Sequence, residues 1–397
     1  MTHNSQAKPP ASTKQASAGR SISCPELMQG LVAGFSGLPD PRIDRTKKHR
    51  LTDILVIALC AILSGADEWI EIEAFGKAKQ EWLKTFLALP NGIPSHDTFA
   101  RLFARLDPLA LQQCFIVWIN GLSQQLQGQV VAIDGKTVRR SFDRAAGKAA
   151  IHMVNAWVSQ HHLALGQIKV DSKSNEIVAI PQLLRLLELD GAIVTIDAMG
   201  CQKDIAAQIV EQGADYVLAL KGNQGTLHQD VELFFQEAEH LQFHGIPHQF
   251  HQSVEGDHGR IEIRRVWAVS DLDWLADKPR WKGLHSIVKV EAERQLPDKT
   301  STETRYFISS LDNNARQLGQ AVRSHWGIEN SLHWVLDVAF REDQSRIRKD
   351  HAPANFAMMR QIAVNLLKRE QTAKRGVKCK RLKAAWDNDY LLKVLAS

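Results

Sequence analysis

Residues 129–141 read QVVAIDGKTVRRS, and residues 191–200 read GAIVTIDAMG. In each, four strand-forming residues run into an acid: Asp134 follows VVAI and Asp197 follows IVTI. Apolar and β-branched side chains fit a strand packed on both faces, and a polar residue at the end of such a strand emerges into a cleft. The repeated pattern predicts two buried strands, each ending in a carboxylate. Both aspartates also suit ordinary structural roles, because Asp-Gly is common turn chemistry and Asp197 can cap the segment that follows it.

Outward from the first stretch, AIHMVNAWVS (150–159) and LALGQIKVD (163–171) read as two further strands, with a loop at 143–148. A helix at PQLLRLLELDG (181–191), the strand ending at Asp197, a helix at KDIAAQIVEQG (203–213) and a strand at DYVLALKG (215–222) come next. Three strands on short connections followed by alternating helices and strands predict an α/β layer with a mixed sheet, not a regular βα barrel. Residues 224–240 read as helix. The runs 258–270, 285–296 and 303–311 are extended again, a β-rich insertion spanning about 241–310.

On the N-terminal side, residues 1–20 are small, polar and proline-containing, which predicts disorder. Residues 24–111 read as a helical domain for DNA binding or assembly. LTDILVIALCAILSGA (51–66) is one helix of it, and Trp69, Ile72 and Phe75 share a face of the next. After Pro90, Gly92 and Pro94, Ser95 is placed to cap a helix carrying Arg101 and Arg105 four residues apart. That spacing suits entry into a DNA groove, and equally a packing helix with a solvated face. On the C-terminal side, NFAMMRQIAVNLLKRE (355–370) reads as an apolar helix, and 351–397 as that helix with a basic tail.

Composition bounds the function classes. With 44% hydrophobic and 23% charged residues, the chain of 397 residues is neither a disordered polyampholyte nor a membrane protein. Its apolar run at 54–63 is about half a membrane span. The first 20 residues hold no apolar secretory core, which points to the cytoplasm. Cys24, Cys60, Cys114, Cys201 and Cys379 lack paired spacing and read as reduced thiols. The formal charge of +5 is mild, but Lys368, Arg369, Lys374, Arg375, Lys378, Lys380, Arg381 and Lys383 crowd into sixteen positions opposed by Glu370 alone. Such a cluster serves either backbone phosphates or solubility.

A third acid, Glu329, lies in SHWGIENSLHWVLDVAFRED (324–343), within a helix expected over 315–340. His325, Glu329 and Leu336, four and seven residues apart, fall near one face. With that face toward the strand ends, Glu329 approaches both aspartates; otherwise it is a surface residue or a partner of Arg323.

Taken together, IDGKT (133–137), VTIDAMGCQ (194–202) and HWGIENSLHWVLDVAFREDQSR (325–346) resemble the DDE transposases of bacterial insertion sequences, specifically the ISAs1-type or H-repeat-associated family. The resemblance covers nearly the whole chain, and the ordered set of three motifs is far more specific than any one acid. It implies an RNase H-like mixed-sheet catalytic domain at about 125–345. The first Asp would lie on the first strand, the second on the fourth, and the Glu on a later helix. It further implies Asp134, Asp197 and Glu329 as catalytic residues and ligands to Mg²⁺, two ions per site, with Mn²⁺ as a substitute. Partners would be double-stranded DNA, as element ends and target, and a second copy of the chain. Related transposases line one helix with Tyr, Arg, Glu and Lys; here Val322, His325 and Leu336 stand beside the Glu.

The expected chemistry is cleavage at element ends by activated water, then attack of the freed 3′ hydroxyl on target DNA. Lys136, Arg139 and Arg140 after Asp134, Lys221 and Asn223 after DYVLALKG, His325, and the tail residues Lys374, Arg375, Lys380 and Arg381 are candidate DNA contacts; each is also an ordinary surface residue type. The histidines, including His152, His161, His162 and His333, form no zinc motif. Cys201 lacks the partners of a nucleophile, and GNQG (222–225) is too short for a nucleotide loop. Two alternatives stay open: a metal-dependent nuclease without strand transfer, and a transposase-derived DNA-binding protein without catalysis.

Overall fold

The computed structural model describes residues 34, 35, 37–122, 126–143, 147–170, 175–257 and 259–397. The expected disorder of residues 1–20 lies outside them. One nine-stranded sheet runs through the molecule, in the order β3-β2-β1-β4-β5-β9-β8-β7-β6. Its strands are β1 (Val130–Thr137), β2 (His152–Val158), β3 (Leu163–Val170), β4 (Ile193–Ile196), β5 (Asp215–Leu220), β6 (Gln249–Asp257), β7 (Arg260–Val269), β8 (Ser286–Leu296) and β9 (Lys299–Ser309). β1 to β3 are antiparallel neighbours, while β4 and β5 run parallel to β1. This is the RNase H-like mixed sheet. The β-rich segment extends it, because β9 pairs antiparallel with β5.

The sequence reading found β7, β8 and β9 but missed β6. Phe250 and Val254 of β6 are exposed and the half-buried positions beside them are the polar His251 and Ser253, so this edge strand carries no apolar alternation that marks a buried face.

The helices are α1 (Leu51–Leu63), α2 (Trp69–Ala78), α3 (Gln80–Leu83), α4 (His96–Arg105), α5 (Pro108–Leu122), α6 (Glu176–Leu184), α7 (Lys203–Glu211), α8 (Gly225–His240), α9 (Ala315–His325), α10 (Trp334–Phe340), α11 (Ala352–Arg369), α12 (Val377–Trp386) and α13 (Asn388–Leu395). α6 begins five residues before the expected start and takes Pro181 into its interior.

One sheet face is covered by α9, whose Ala315, Leu318, Ala321 and Val322 pack on Val130, Ile193, Val217, Val266 and Phe307. Gly319 allows the close approach: a Cβ there would run into the side chain of Val266. The other face belongs to the main core, in which α11 is buried from Ala352 to Leu367. α11 packs against β3 and also against α1, α4 and α5. Asn355 Nδ2 donates to the carbonyls of Phe103 and Leu106, and Asn365 exchanges hydrogen bonds with the Ala164 backbone. The segment expected as a C-terminal helix and tail therefore forms the centre of the molecule, joining the N-terminal helices to the sheet. α4, the helix with Arg101 and Arg105, buries Phe99, Leu102 and Phe103, and Trp69, Phe103 and Phe356 form an aromatic cluster there.

No single described helix is long and apolar enough to cross a membrane. Cys60, Cys114, Cys201 and Cys379 form no disulfide among the described residues.

Candidate active site

Strand register brings the two aspartates together. β1 and β4 pair in parallel from Val130↔Ile193 to Ile133↔Ile196, and the next position on each chain is Asp134 and Asp197. β4 stops there, so Asp197 follows a strand end as expected. β1 does not stop: it continues to Thr137 against β2, with Asp134 opposite Asn155. Asp134 thus lies mid-strand, at the point where β1 loses its neighbour on one side, and the missing neighbour opens the cleft.

Both acids are held by backbone. Asp134 Oδ1 accepts from Gly135 N at 2.8 Å, and Asp197 Oδ1 accepts from Met199 N and Gly200 N at 3.0 and 3.3 Å. Asp197 therefore also has the capping role that its sequence allowed.

Glu329 comes from a helix that is not continuous. α9 ends at His325, Trp326 is a turn residue, and Glu329–His333 forms one π-helical turn before α10. π-Turns inserted into helices are rare and recur at functional sites. The turn changes the expected face: Leu336 is buried in the core, whereas Val322, His325 and Glu329 border one cavity. Asp197, Thr195, Lys221, Arg305 and Trp326 line that cavity too.

Burial raises the pKa of Asp134 to about 7, with further upward pushes from the charges of Asp197, Glu329 and Glu176. A carboxylate repelled by three others has the electrostatics of a cation site, and the donors are hard oxygens of the kind Mg²⁺ takes. Among the described residues, no three His, Cys, Asp or Glu side chains converge closely enough to grip one ion as they stand. The donor chemistry fits a divalent cation; a closed coordination cage is not assembled.

Behind Asp134 runs a polar chain that sequence reasoning missed. His333 Nδ1 lies 3.5 Å from Asp134 Oδ2, His333 Nε2 meets Asn155 Nδ2 at 3.3 Å, and Asn155 Oδ1 accepts from Gln361 Nε2 at 2.5 Å. Burial lowers the His333 pKa to about 3, so the ring is neutral. The available signal was an asparagine in the middle of the otherwise buried strand HMVNAWV. Glu176 gave no such signal. It reaches β2 by a 2.5 Å contact to His152 Nε2, and the pair sits over Gly135, where a Cβ would strike both side chains.

Two family models cover the chain: one described as "DDE_Tnp_1-associated" matches residues 32–119, and one described as "Transposase DDE domain" matches residues 125–366. "Putative transposase YncI" of Escherichia coli O157:H7 is 44% identical over 93% of this chain and 95% of its own length. "H repeat-associated putative transposase YhhI" of Escherichia coli (strain K12) is 41% identical over 93% and 98%. The chain belongs to the H-repeat-associated DDE transposase family. Among solved structures, a piggyBac transposase synaptic complex with hairpin DNA is similar at a TM-score of 0.43 and 10% identity, covering 94% of this chain and 82% of that one.

In this DDE transposase family member the basic residues nominated from sequence divide sharply. Lys136 is buried, and its Nζ bonds Asp337 at 2.7 Å and lies within 3.5 Å of Glu342 and Asp343, so its charge is already satisfied. Arg139 is exposed but pairs with Asp343 at 3.1 Å. Lys380 and Arg381 are buried too. Lys380 donates to the Leu367 and Glu370 carbonyls, and Arg381 donates to the carbonyls of Ile62, Ala66 and Ala339 and to Asp67. These two are struts that fasten α12 to the core and are not presented at the surface. Their burial follows from the tail being helical: one face of α12 turns inward, and the charges on it must find carbonyls.

Lys374 and Arg375 remain exposed. Lys221 is exposed and lines the acid cavity. Asn223 spends its amide on the Ala198 carbonyl at 2.6 Å, bracing the loop after Asp197. His325 contacts Thr195 Oγ1 through Nδ1 at 3.0 Å, and burial lowers its pKa, so it borders the cavity as a neutral ring. The Arg305 guanidinium, which the sequence reading did not nominate, lines the cavity over Trp326, 4.7 Å from its centroid, but its Nε and Nη2 already donate to Glu303 at 2.7 and 2.9 Å.

Proposed function

We propose that this chain is a DNA transposase that cleaves insertion-sequence ends and joins them to target DNA, with Asp134, Asp197 and Glu329 as its catalytic acids. The observation that carries the reading is the adjacent register of Asp134 and Asp197 beside a cavity that Glu329 borders, within a matched DDE domain. The three carboxylates would hold divalent cations, Mg²⁺ first and Mn²⁺ as a substitute, whose chemistry is to ionise an oxygen nucleophile and stabilise the leaving 3′ oxygen.

The chain's own contribution is positioning and charge. The Gly135, Met199 and Gly200 amides fix the aspartates. Lys221, exposed at the same cavity, offsets the charge of a phosphodiester brought to it. Glu329, on its π-turn, is the most exposed of the three and would complete the site as DNA seats. Double-stranded DNA is the partner, and a second copy of the chain would hold the other element end.

The test is a strand-transfer reaction with purified protein, Mg²⁺, donor DNA bearing candidate element ends and a target plasmid. Joined products should vanish in Asp134→Ala, Asp197→Ala and Glu329→Ala while DNA binding survives. Cleavage without joining would replace this reading with a nuclease. Binding without cleavage across suitable metals and ends would replace it with a DNA-binding protein. Joining retained by any one variant would remove that residue from the assignment.

A further inference from the structure

Three arginines that no acid among the described residues neutralises gather outside the acid cavity. Arg140, Arg346 and Arg348 line an open cavity of about 430 Å³ together with Phe142. Arg348 is held flat: its guanidinium lies 4.6 Å from the Phe142 ring centroid, and its Nε donates to the Arg140 carbonyl at 3.1 Å. Among the described residues, none of the three guanidiniums pairs with a carboxylate.

The contrast with their neighbours is informative. One residue before Arg140, Arg139 pairs with Asp343, and Lys136 is ringed by Asp337, Glu342 and Asp343. Acids were available on the same two segments, and they serve the other cations. Clustered like charge of this kind destabilises the free protein and is relieved by an anion. The planar guanidinium fork matches two oxygens of a phosphate at once, and the stacking on Phe142 pre-orients one fork.

The segments that carry the cluster are the ones that carry the acids. Arg140 follows β1, three residues beyond its end, and Arg346 and Arg348 follow α10, which continues the Glu329 turn. The Lys136 ion pairs tie these two segments together. The cluster and the acid cavity nevertheless share no lining residue.

We infer that Arg140, Arg346 and Arg348, with Phe142, form a second phosphate site that grips the backbone of the DNA away from the scissile phosphodiester. The site rests on the proposed function for the identity of its ligand. Its role is to fix the register of the strand relative to Asp134, since backbone contacts position a nucleic acid without reading its sequence.

The test uses the full chain in EDTA with a short fluorescein-labelled DNA duplex, titrated over a range of salt concentrations. Each phosphate contact contributes a slope of about −0.9 in log K against log [salt], so Arg140→Ala/Arg346→Ala should reduce the wild-type slope by about 2. Both side chains are exposed and pair with no acid among the described residues, so the fold should be unaffected, as circular dichroism would verify. Arg140→Lys/Arg346→Lys should restore the slope while leaving affinity below wild type, because lysine keeps the charge but not the fork. An unchanged slope in the alanine variant, with wild-type binding intact, would overturn this site and leave the proposed function standing. A wild-type protein that binds no duplex at any salt concentration would overturn both.

Discussion

Asp134 is penalised when it ionises in the metal-free protein, and the penalty has a pH signature. Its pKa rises from the ordinary carboxyl value of 3.8 to about 7, by burial first and then by Asp197, Glu329 and Glu176. A carboxyl whose folded pKa exceeds its unfolded one stabilises the fold fully below the unfolded pKa and loses that contribution as pH climbs through the folded pKa. The window is therefore about pH 4 to 7, and the effect is at most about 4 kcal/mol. In EDTA, wild-type stability toward urea should fall across that window, and Asp134→Asn should flatten the fall and be the more stable protein at pH 8. Adding Mg²⁺ at pH 8 should stabilise wild type and leave Asp134→Asn unmoved. An equal pH profile for the two proteins would show that Asp134 is not a strained acid.

Between elements, a buried ion pair links α11 to the segment after the Glu329 helix. Arg360 Nη1 lies 3.6 Å from Glu342 Oε1, both side chains almost wholly buried, and Lys136 of β1 approaches the other Glu342 oxygen at 3.5 Å. Arg360 Nε and Nη2 have no hydrogen-bond partner, and the ring of Phe356 covers the guanidinium at 4.5 Å. Removing one partner of a buried pair leaves an uncompensated charge, whereas replacing both with apolar residues is often neutral. Glu342→Leu should cost about 3–5 kcal/mol in urea unfolding, and Glu342→Leu/Arg360→Met should recover most of that loss. Additive losses in the double variant would mean that the two side chains act independently.

Across the whole molecule, the N-terminal helices, α11 and strands β1 to β5 contribute to one continuous core. That packing predicts a single cooperative unfolding transition for the N-terminal helices and the acid-bearing strands, since neither can lose α11 and keep its buried face. The outer ends of β6 and β9 are exposed and should exchange amide hydrogens well before β1 or β4. Two separated transitions, with the N-terminal helices melting alone, would contradict this reading and favour independent domains.

Much of this was legible before any coordinates. VVAI-Asp and IVTI-Asp marked the two strands because burial on both faces demands unbroken apolar runs, and the three motifs together marked the family. Local pattern also limited what was visible. β6 was missed because an exposed edge strand needs no apolar face, and Glu329's π-turn was missed because one extra residue per turn leaves no mark on helical spacing.

The sequence by itself determined which residues had to be strands and helices and which acids stood out, since those follow from side-chain type and period. Only the tertiary structure decided which charges stay exposed and unneutralised. Lys136, Lys380 and Arg381 look like surface cations in the chain, yet each is consumed by partners many residues away: Asp337 and Asp343 for the first, Leu367 and Glu370 for the second, Ile62 and Asp67 for the third. Arg140, Arg346 and Arg348, from two separate segments, have no carboxylate partner among the described residues. A charge is neutralised by whatever the fold brings within a few ångströms, and that proximity is set by how distant segments pack, which a local reading of the sequence does not reach.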